Sequence, residues 1–151
     1  MNIVVSGASG LIGTELVAAL QNDGHNVTKL VRRAAGPGEV FWNPDTDTID
    51  ADAFAAVAPD AVVHLAGAGI GDKRWSASYK KQILDSRVNG TRLLARTIAS
   101  MANKPRVFLS GSAIGFYGPQ GDQVLDENSA VGSGFLAEVC KEWEDSAPCG
   151  N

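Results

Sequence analysis

Three glycines, Gly7, Gly10 and Gly13, stand between a short apolar run, Ile3-Val4-Val5, and a stretch of helical periodicity that opens at Leu11. Glycines at this spacing, after a strand and before a helix, let a backbone close on a diphosphate. Gly7 is expected to turn the chain sharply off the strand end. Gly10, with no Cβ, lets the backbone approach a pyrophosphate, and Gly13 lets the helix pack close on the sheet. Free amide N–H groups and the positive end of the helix dipole then face the phosphates. The spacing is G-x-x-G-x-x-G rather than G-x-G-x-x-G, so the context at the N-terminus carries the reading of a dinucleotide site. The alternative is a glycine-rich strand–helix turn with no ligand.

A second pair of residues bears on which dinucleotide. In NAD-selective sites an acidic residue about 20 positions beyond the glycines binds the ribose 2′-hydroxyl. Here the second apolar run, Val27–Val31, ends in Arg32 and Arg33. An arginine fork suits a 2′-phosphate, and no carboxylate stands at that place to repel it. NADP(H) is therefore the expected cofactor, with NAD(H) second. The alternative is that both arginines are solvated surface charges.

These residues need elements to position them. Leu11–Asn22 reads as an amphipathic helix with Ile12, Leu16, Ala19 and Leu20 on its apolar face, ended by Asp23-Gly24. Val40-Phe41-Trp42 reads as a strand, Asn43-Pro44-Asp45 as a turn and Thr48-Ile49 as a partner strand. A short helix follows over Ala51–Val57, then a continuous apolar strand over Ala61–Leu65 and a second glycine-rich loop over 66–71. Ser76–Ala102 reads as a long helix capped by Ser76, Arg106–Leu109 as a strand, Gly115 to Ser133 as loop, Gly134–Ser146 as a last helix and Pro148–Asn151 as a frayed tail. Strand–helix alternation predicts an α/β fold, a Rossmann-type doubly wound parallel sheet with helices on both faces. In such sheets ligands sit beyond the carboxyl ends of the strands. The Gly7 turn, Arg32, the Gly67 loop and Ser110–Ser112 all fall at strand carboxyl ends.

The 151 residues suit one domain, 1–151, and carry a net charge of −4. The acidic balance argues against nucleic acid, and no run of about 18 apolar residues is present to cross a membrane. Cys140 and Cys149 form neither a disulfide framework nor a zinc site, so no metal is expected and a cytoplasmic, reducing setting is.

Four stretches, SGASGLIG at the start, DAVVHLAG at 60–67, SRVNGTRLL at 86–94 and LSGSAIGFYG at 109–118, resemble the extended short-chain dehydrogenase/reductase superfamily. GDKRW (71–75), KKQILDSRV (80–88) and FLAEVCKEWE (135–144) resemble its atypical subgroup known as epimerase family, or nucleoside-diphosphate-sugar epimerase-like, proteins. The resemblance implies a chain about twice this length, with a substrate-binding part after the last helix, so the sequence reads as an N-terminal portion. It also implies a homodimer through the helices at 76–102 and 134–146.

By the resemblance, Ser9, Gly10, Leu11 and Ile12 contact the pyrophosphate, and Leu65, Ala66 and Gly67 pass beside a ribose. Ser112 matches the family's catalytic serine, with Ser110 its neighbour at the cofactor. The Tyr-x-x-x-Lys pair that supplies the family's acid/base is absent: Leu136 stands at the Tyr position and Cys140 at the Lys position. Lys141, one residue late, points about 100° away around the helix. Arg87 stands at a supporting Asn position. Two readings are open for each substitute. Tyr117 is a proton donor or a packing aromatic, and Cys140 a reactive thiol or a small buried hydrophobe. Arg87 holds a substrate anion or the cofactor phosphates, or it pairs with Asp85 or Glu138 on the surface. His64 reads as a core histidine, Asp126-Glu127 as a solvated pair, and Arg74-Trp75 as a substrate clamp or a helix anchor. The implied function is an NADP(H)-dependent oxidoreductase on a small carbonyl or sugar-like substrate. The alternatives are a non-catalytic cofactor-binding sensor or scaffold, and a nucleotide-sugar epimerase.

Overall fold

The computed structural model describes residues 1–147; Cys149 and the tail from Pro148 lie outside the described residues. Six strands form one sheet in the order β4-β3-β2-β1-β5-β6. They are β1 (Asn2–Ser6), β2 (Asn26–Val31), β3 (Glu39–Asn43), β4 (Thr48–Ile49), β5 (Ala61–His64) and β6 (Val107–Ser110). All neighbours are parallel except β3 and β4, which pair Trp42 with Ile49. The helices are α1 (Leu11–Asn22), α2 (Ala51–Ala56), α3 (Ala77–Ser100) and α4 (Phe135–Asp145). This is the doubly wound arrangement that the alternation predicted.

Strand alternation divides the core in two. Ile3, Val5 and Val63 point to one face, where Val17 and Leu20 of α1 cover them. Val4, Leu30, Val40, Trp42 and Val62 point to the other, against Phe54 of α2 and Leu93 and Leu94 of α3. A third cluster, Tyr79, Ile83 and Val139, joins α3 to α4. On β6 the face shared with α1 is bare: Val107 and Leu109 are each about half exposed.

The apolar face expected for α1 is only partly correct. Gly13 and Val17 are its buried residues, whereas Ile12 and Ala19 are exposed. The rotation of the helix is set by close approach rather than by its apolar stripe. A Cβ on Gly13 would stand 2.1 Å from the Gly7 carbonyl oxygen, so this position must face inward. Gly24, at φ +80°, follows the helix as expected, with the His25 amide returning to Leu20.

In α3 the inward face includes Gly90, Thr91 and Thr97, which apolar periodicity does not mark. Both threonines bury their hydroxyls by donating to the carbonyl four residues back, at 2.8 Å each. Ser76 caps the helix by accepting the Tyr79 amide. The stretch read as loop from Gly115 holds a 3-10 turn over Ile114–Tyr117.

Candidate functional site

At the end of β1 the chain enters the turn at Gly7 with φ +69°. A Cβ there would lie 2.7–2.9 Å from the Leu65 and Ala66 backbone, so β1 and β5 meet at their carboxyl ends only because Gly7 is bare. The turn closes with the Gly10 amide on the Gly7 carbonyl at 3.0 Å. Gly10 is the N-cap of α1, with no side-chain cap and no acidic residue in the first turn. The opening amides of α1 therefore face outward with neither an internal acceptor nor a repelling carboxylate.

Beneath the turn lies a buried polar pair. Ser6 and His64 are cross-strand neighbours, both fully buried, and Ser6 Oγ meets His64 Nδ1 at 2.5 Å. Ser6 Oγ also accepts the amides of Leu65 at 3.2 Å and Ala66 at 3.4 Å. The imidazole stands edge-on to Trp42 at 5.7 Å and against Gly90, where a Cβ would be 3.1 Å from the ring. Burial pushes the His64 pKa down to about 4, so the ring is neutral. His64 is a core histidine that fixes the β1 and β5 ends.

A cleft of about 1060 Å³ opens at this edge. Gly7, Ser9, Gly10, Arg32, Leu65, Ala66 and Gly67 line it, among the sequence-expected residues. Lys29, Trp42, Asp45, Asp72 and Lys73 line it as well, and the sequence reading had not singled them out for this site. Leu11, Ile12, Gly13, Arg87, Ser110, Ser112, Tyr117 and Cys140 lie off its wall. Leu11 is 90% exposed.

Arg33 does not stand as free charge. It forms a two-pronged pair with Glu39, Nη1 at 2.7 Å and Nη2 at 2.6 Å, while Arg32 joins none of the ion pairs among the described residues. The Arg33 guanidinium and the Gly36 amide hold the Glu39 carboxyl down to about 2.

At the β6 end the expected catalytic residues come together differently. The Ser112 hydroxyl donates to Glu144 of α4, a partner that sequence reasoning missed. Tyr117 ends the 3-10 turn and packs edge-on to Phe116 at 5.4 Å, as a packing aromatic would. Cys140 is buried, and its thiol is pushed up by desolvation and by Glu144, against a weaker opposing pull from Arg87. Lys141 pairs with Asp145 on the surface.

Among the described residues Arg87 joins neither surface pair offered for it; Asp85 pairs with Lys81 instead. Its Nη1 donates to Ala68 and Ile83 carbonyls at 3.0 Å each, and its guanidinium lies 5.1 Å from the Trp143 ring. Burial lowers its pKa. Helix geometry explains the correction: Arg87 and Ile83 share the α3 face that looks to α4 and the Gly67 loop, not to solvent.

Trp75, 40% exposed, touches α4 rather than the long helix it was expected to anchor. It sits edge-on to Phe135 at 5.4 Å, and its Nε1 donates to Ile70 at 2.7 Å, which pins the second glycine loop to α4. Asp126 is a surface residue whose carboxylate takes the Ser129 hydroxyl and Asn128 amide, both at 3.0 Å. Among the described residues no cluster of metal-ligating side chains occurs, and no helix is long and apolar enough to cross a membrane.

The model of the NAD dependent epimerase/dehydratase family matches residues 3–135. The chain belongs to that family. Within it, an epimerase family protein of Mycobacterium leprae is 43% identical over 94% of this chain and 45% of its own length. The human epimerase family protein SDR39U1 is 33% identical over 97% of this chain and 49% of its own length. Among solved structures, human SDR39U1 (isoform 2) with NADPH superimposes on the whole chain and 50% of its own, with a TM-score of 0.85 and 31% identity. A nucleoside-diphosphate sugar epimerase of Corynebacterium glutamicum gives 0.81 and 39% over 96% of this chain and 30% of its own. This member of the family spans about half the length of the curated relatives it matches.

Proposed function

We propose that the cleft binds NADP(H) in preference to NAD(H), and that the protein is an oxidoreductase acting on a small carbonyl or sugar-like substrate. The observation that carries the binding reading is the cradle at Gly7–Gly13. There the backbone approaches so closely that a Cβ at Gly7 or Gly13 would collide with it, and the uncapped start of α1 looks onto the cleft edge. A diphosphate fits this chemistry, because it takes the donors that the helix leaves unmet. Gly7, Ser9 and Gly10, with the Leu11 and Ile12 amides, would hold it; Leu65, Ala66 and Gly67 would lie beside a ribose, and Ser110 near the nicotinamide end. Arg32 reads the 2′-phosphate. The human relative solved with NADPH supports the choice.

A bound nicotinamide supplies hydride exchange with the substrate. The protein's own part is to hold the substrate oxygen and to manage a proton. Ser112 takes the first role, and Glu144, already hydrogen-bonded to it, is the carboxylate placed to exchange that proton. Arg87 fixes the Gly67 loop through Ala68 and keeps a cation beside the site. Cys140 and Tyr117 pack rather than react in this reading.

A second reading, cofactor binding without turnover, draws on the buried, proton-retaining Cys140 at the Lys position and Leu136 at the Tyr position. NADPH consumption with a panel of carbonyl compounds decides between them. The names of the relatives keep nucleotide-sugar epimerisation as a third reading. A homodimer through the outer faces of α3 and α4 and a cytoplasmic setting complete the proposal. Light scattering tests the dimer, and localisation of a tagged protein tests the setting.

The binding test is calorimetric titration with NADPH and NADH. Arg32→Ala is expected to weaken NADPH about 10- to 100-fold and to leave NADH within about twofold, the value of a charge-assisted hydrogen bond. Equal weakening of both nucleotides would remove Arg32 from the phosphate.

A further inference from the structure

We propose that Glu39 determines which of two adjacent arginines reads the 2′-phosphate, by keeping Arg33 neutralised at the rim of the cleft. The inference deepens the NADP(H) reading and rests on it.

The argument begins with the β2–β3 connection. Lys29 of β2 pairs in parallel with Glu39 of β3, and the chain returns between them through residues 32–38 with no helix. Parallel neighbours ordinarily need a crossover of a dozen or more residues. Here the short return is stapled at its own ends. Glu39, the first residue of β3, takes Arg33 Nη1 and Nη2 and the Gly36 amide at 2.9 Å. Arg33 Nη1 also donates to the Ala34 carbonyl at 2.9 Å, and the Lys29 amide to the Gly38 carbonyl at 3.0 Å.

Arg33 therefore presents to Glu39 the fork that a phosphate would otherwise take. Its neighbour Arg32 lines the same cleft, as do Lys29 and Glu39, and has no ion-pair partner among the described residues. Two consecutive arginines thus have different roles. Arg33 and Glu39 form a neutral strap that shapes the loop, and Arg32 carries the free charge. Without Arg33 the same carboxylate would keep only the Gly36 amide, with Lys29 as the remaining cation near it, and would turn its negative charge to the phosphate.

The test is a double-variant cycle, titrating NADPH and NADH into wild type, Arg33→Ala, Glu39→Gln and the double variant at one low salt concentration. Arg33→Ala is expected to weaken NADPH about 5- to 10-fold, because it uncovers the carboxylate. Glu39→Gln is expected to tighten NADPH about 3- to 10-fold, because it releases a second fork. The double variant, which removes the strap as a unit, returns to within about twofold of wild type, and NADH stays within about twofold throughout. A double variant as weak as Arg33→Ala would make Arg33 itself the phosphate ligand and overturn the proposal. Should Arg33→Ala fail to fold, Glu39→Gln decides alone: tighter NADPH supports the strap, and unchanged or weaker affinity overturns it. Wild-type protein that binds neither nucleotide, or both equally, overturns the NADP(H) reading itself, a result distinct from a wild type that prefers NADPH but whose double variant stays weak.

Discussion

The cleft at the β1, β2 and β5 ends and the Ser112 region at the β6 end lie along one sheet edge, yet they are built from different materials. The first is made by backbone. Gly7, Gly10 and Gly13 work by what they lack, and the floor beneath them is a buried Ser6–His64 pair that holds two strand ends in register. The second is made by side chains brought from separate elements: Ser112 after β6, Glu144 and Cys140 on α4, and Arg87 on α3. A backbone site tolerates few changes, because a Cβ at Gly7 or Gly13 has no room. A side-chain site depends on several separate elements, and a change at one of them can leave its frame standing. The two regions should therefore respond differently to the same kind of perturbation.

The largest effect should come from the backbone site. Gly13→Ala pushes a Cβ to within 2.1 Å of the Gly7 carbonyl, which should cost about 3 kcal/mol or more and abolish nucleotide binding. Thermal melting with calorimetric titration measures both. A variant that melts and binds like wild type would mean that the junction is soft and would break the comparison.

The floor of the cleft should respond to pH. His64 has its pKa lowered from 6.5 to about 4 in the folded protein. Between these values the unfolded chain binds the extra proton, so stability is full above about pH 6.5 and falls as pH drops toward 4. The loss approaches about 3 kcal/mol as an upper bound. Denaturant unfolding from pH 7 to 4 should show this slope in wild type, and His64→Leu should lack the histidine's share of it.

The side-chain site should give the smallest effect on stability. Glu144→Gln is expected to change the melting temperature little, because Glu144 is exposed, and to leave NADPH affinity within about twofold. If the protein turns over, the same change should lower kcat about tenfold or more. A variant with unaltered kcat would confine Glu144 to orienting Ser112 at rest.

Much of the fold could be read in advance because it rests on local signals. Val4 and Val5 beside the glycines, Ser76 before Tyr79 and Gly24 after α1 each act within a few residues. The rotation of α1 was read only in part: Gly13 faces inward as expected, whereas the apolar stripe wrongly put Ile12 and Ala19 on the buried face, because apolar type does not record the contact between Gly13 and the Gly7 carbonyl. The Arg33–Glu39 strap was hidden because five residues separate the partners, and only the parallel return of β3 beside β2 brings them together. Arg87 gave no sign that it would lie against Trp143, since that contact needs α3 and α4 to pack side by side.

By itself the sequence determined the alternation of strands and helices, the glycine turn at the head of α1 and the caps at Ser76 and Gly24. These are properties of residue type and short-range spacing. Tertiary structure alone decided which arginine is free, which residue meets Ser112, and whether His64 is charged. Each depends on distance and burial that only the folded sheet sets, and residue type does not record the dielectric or the partner that a side chain finds once the sheet has formed.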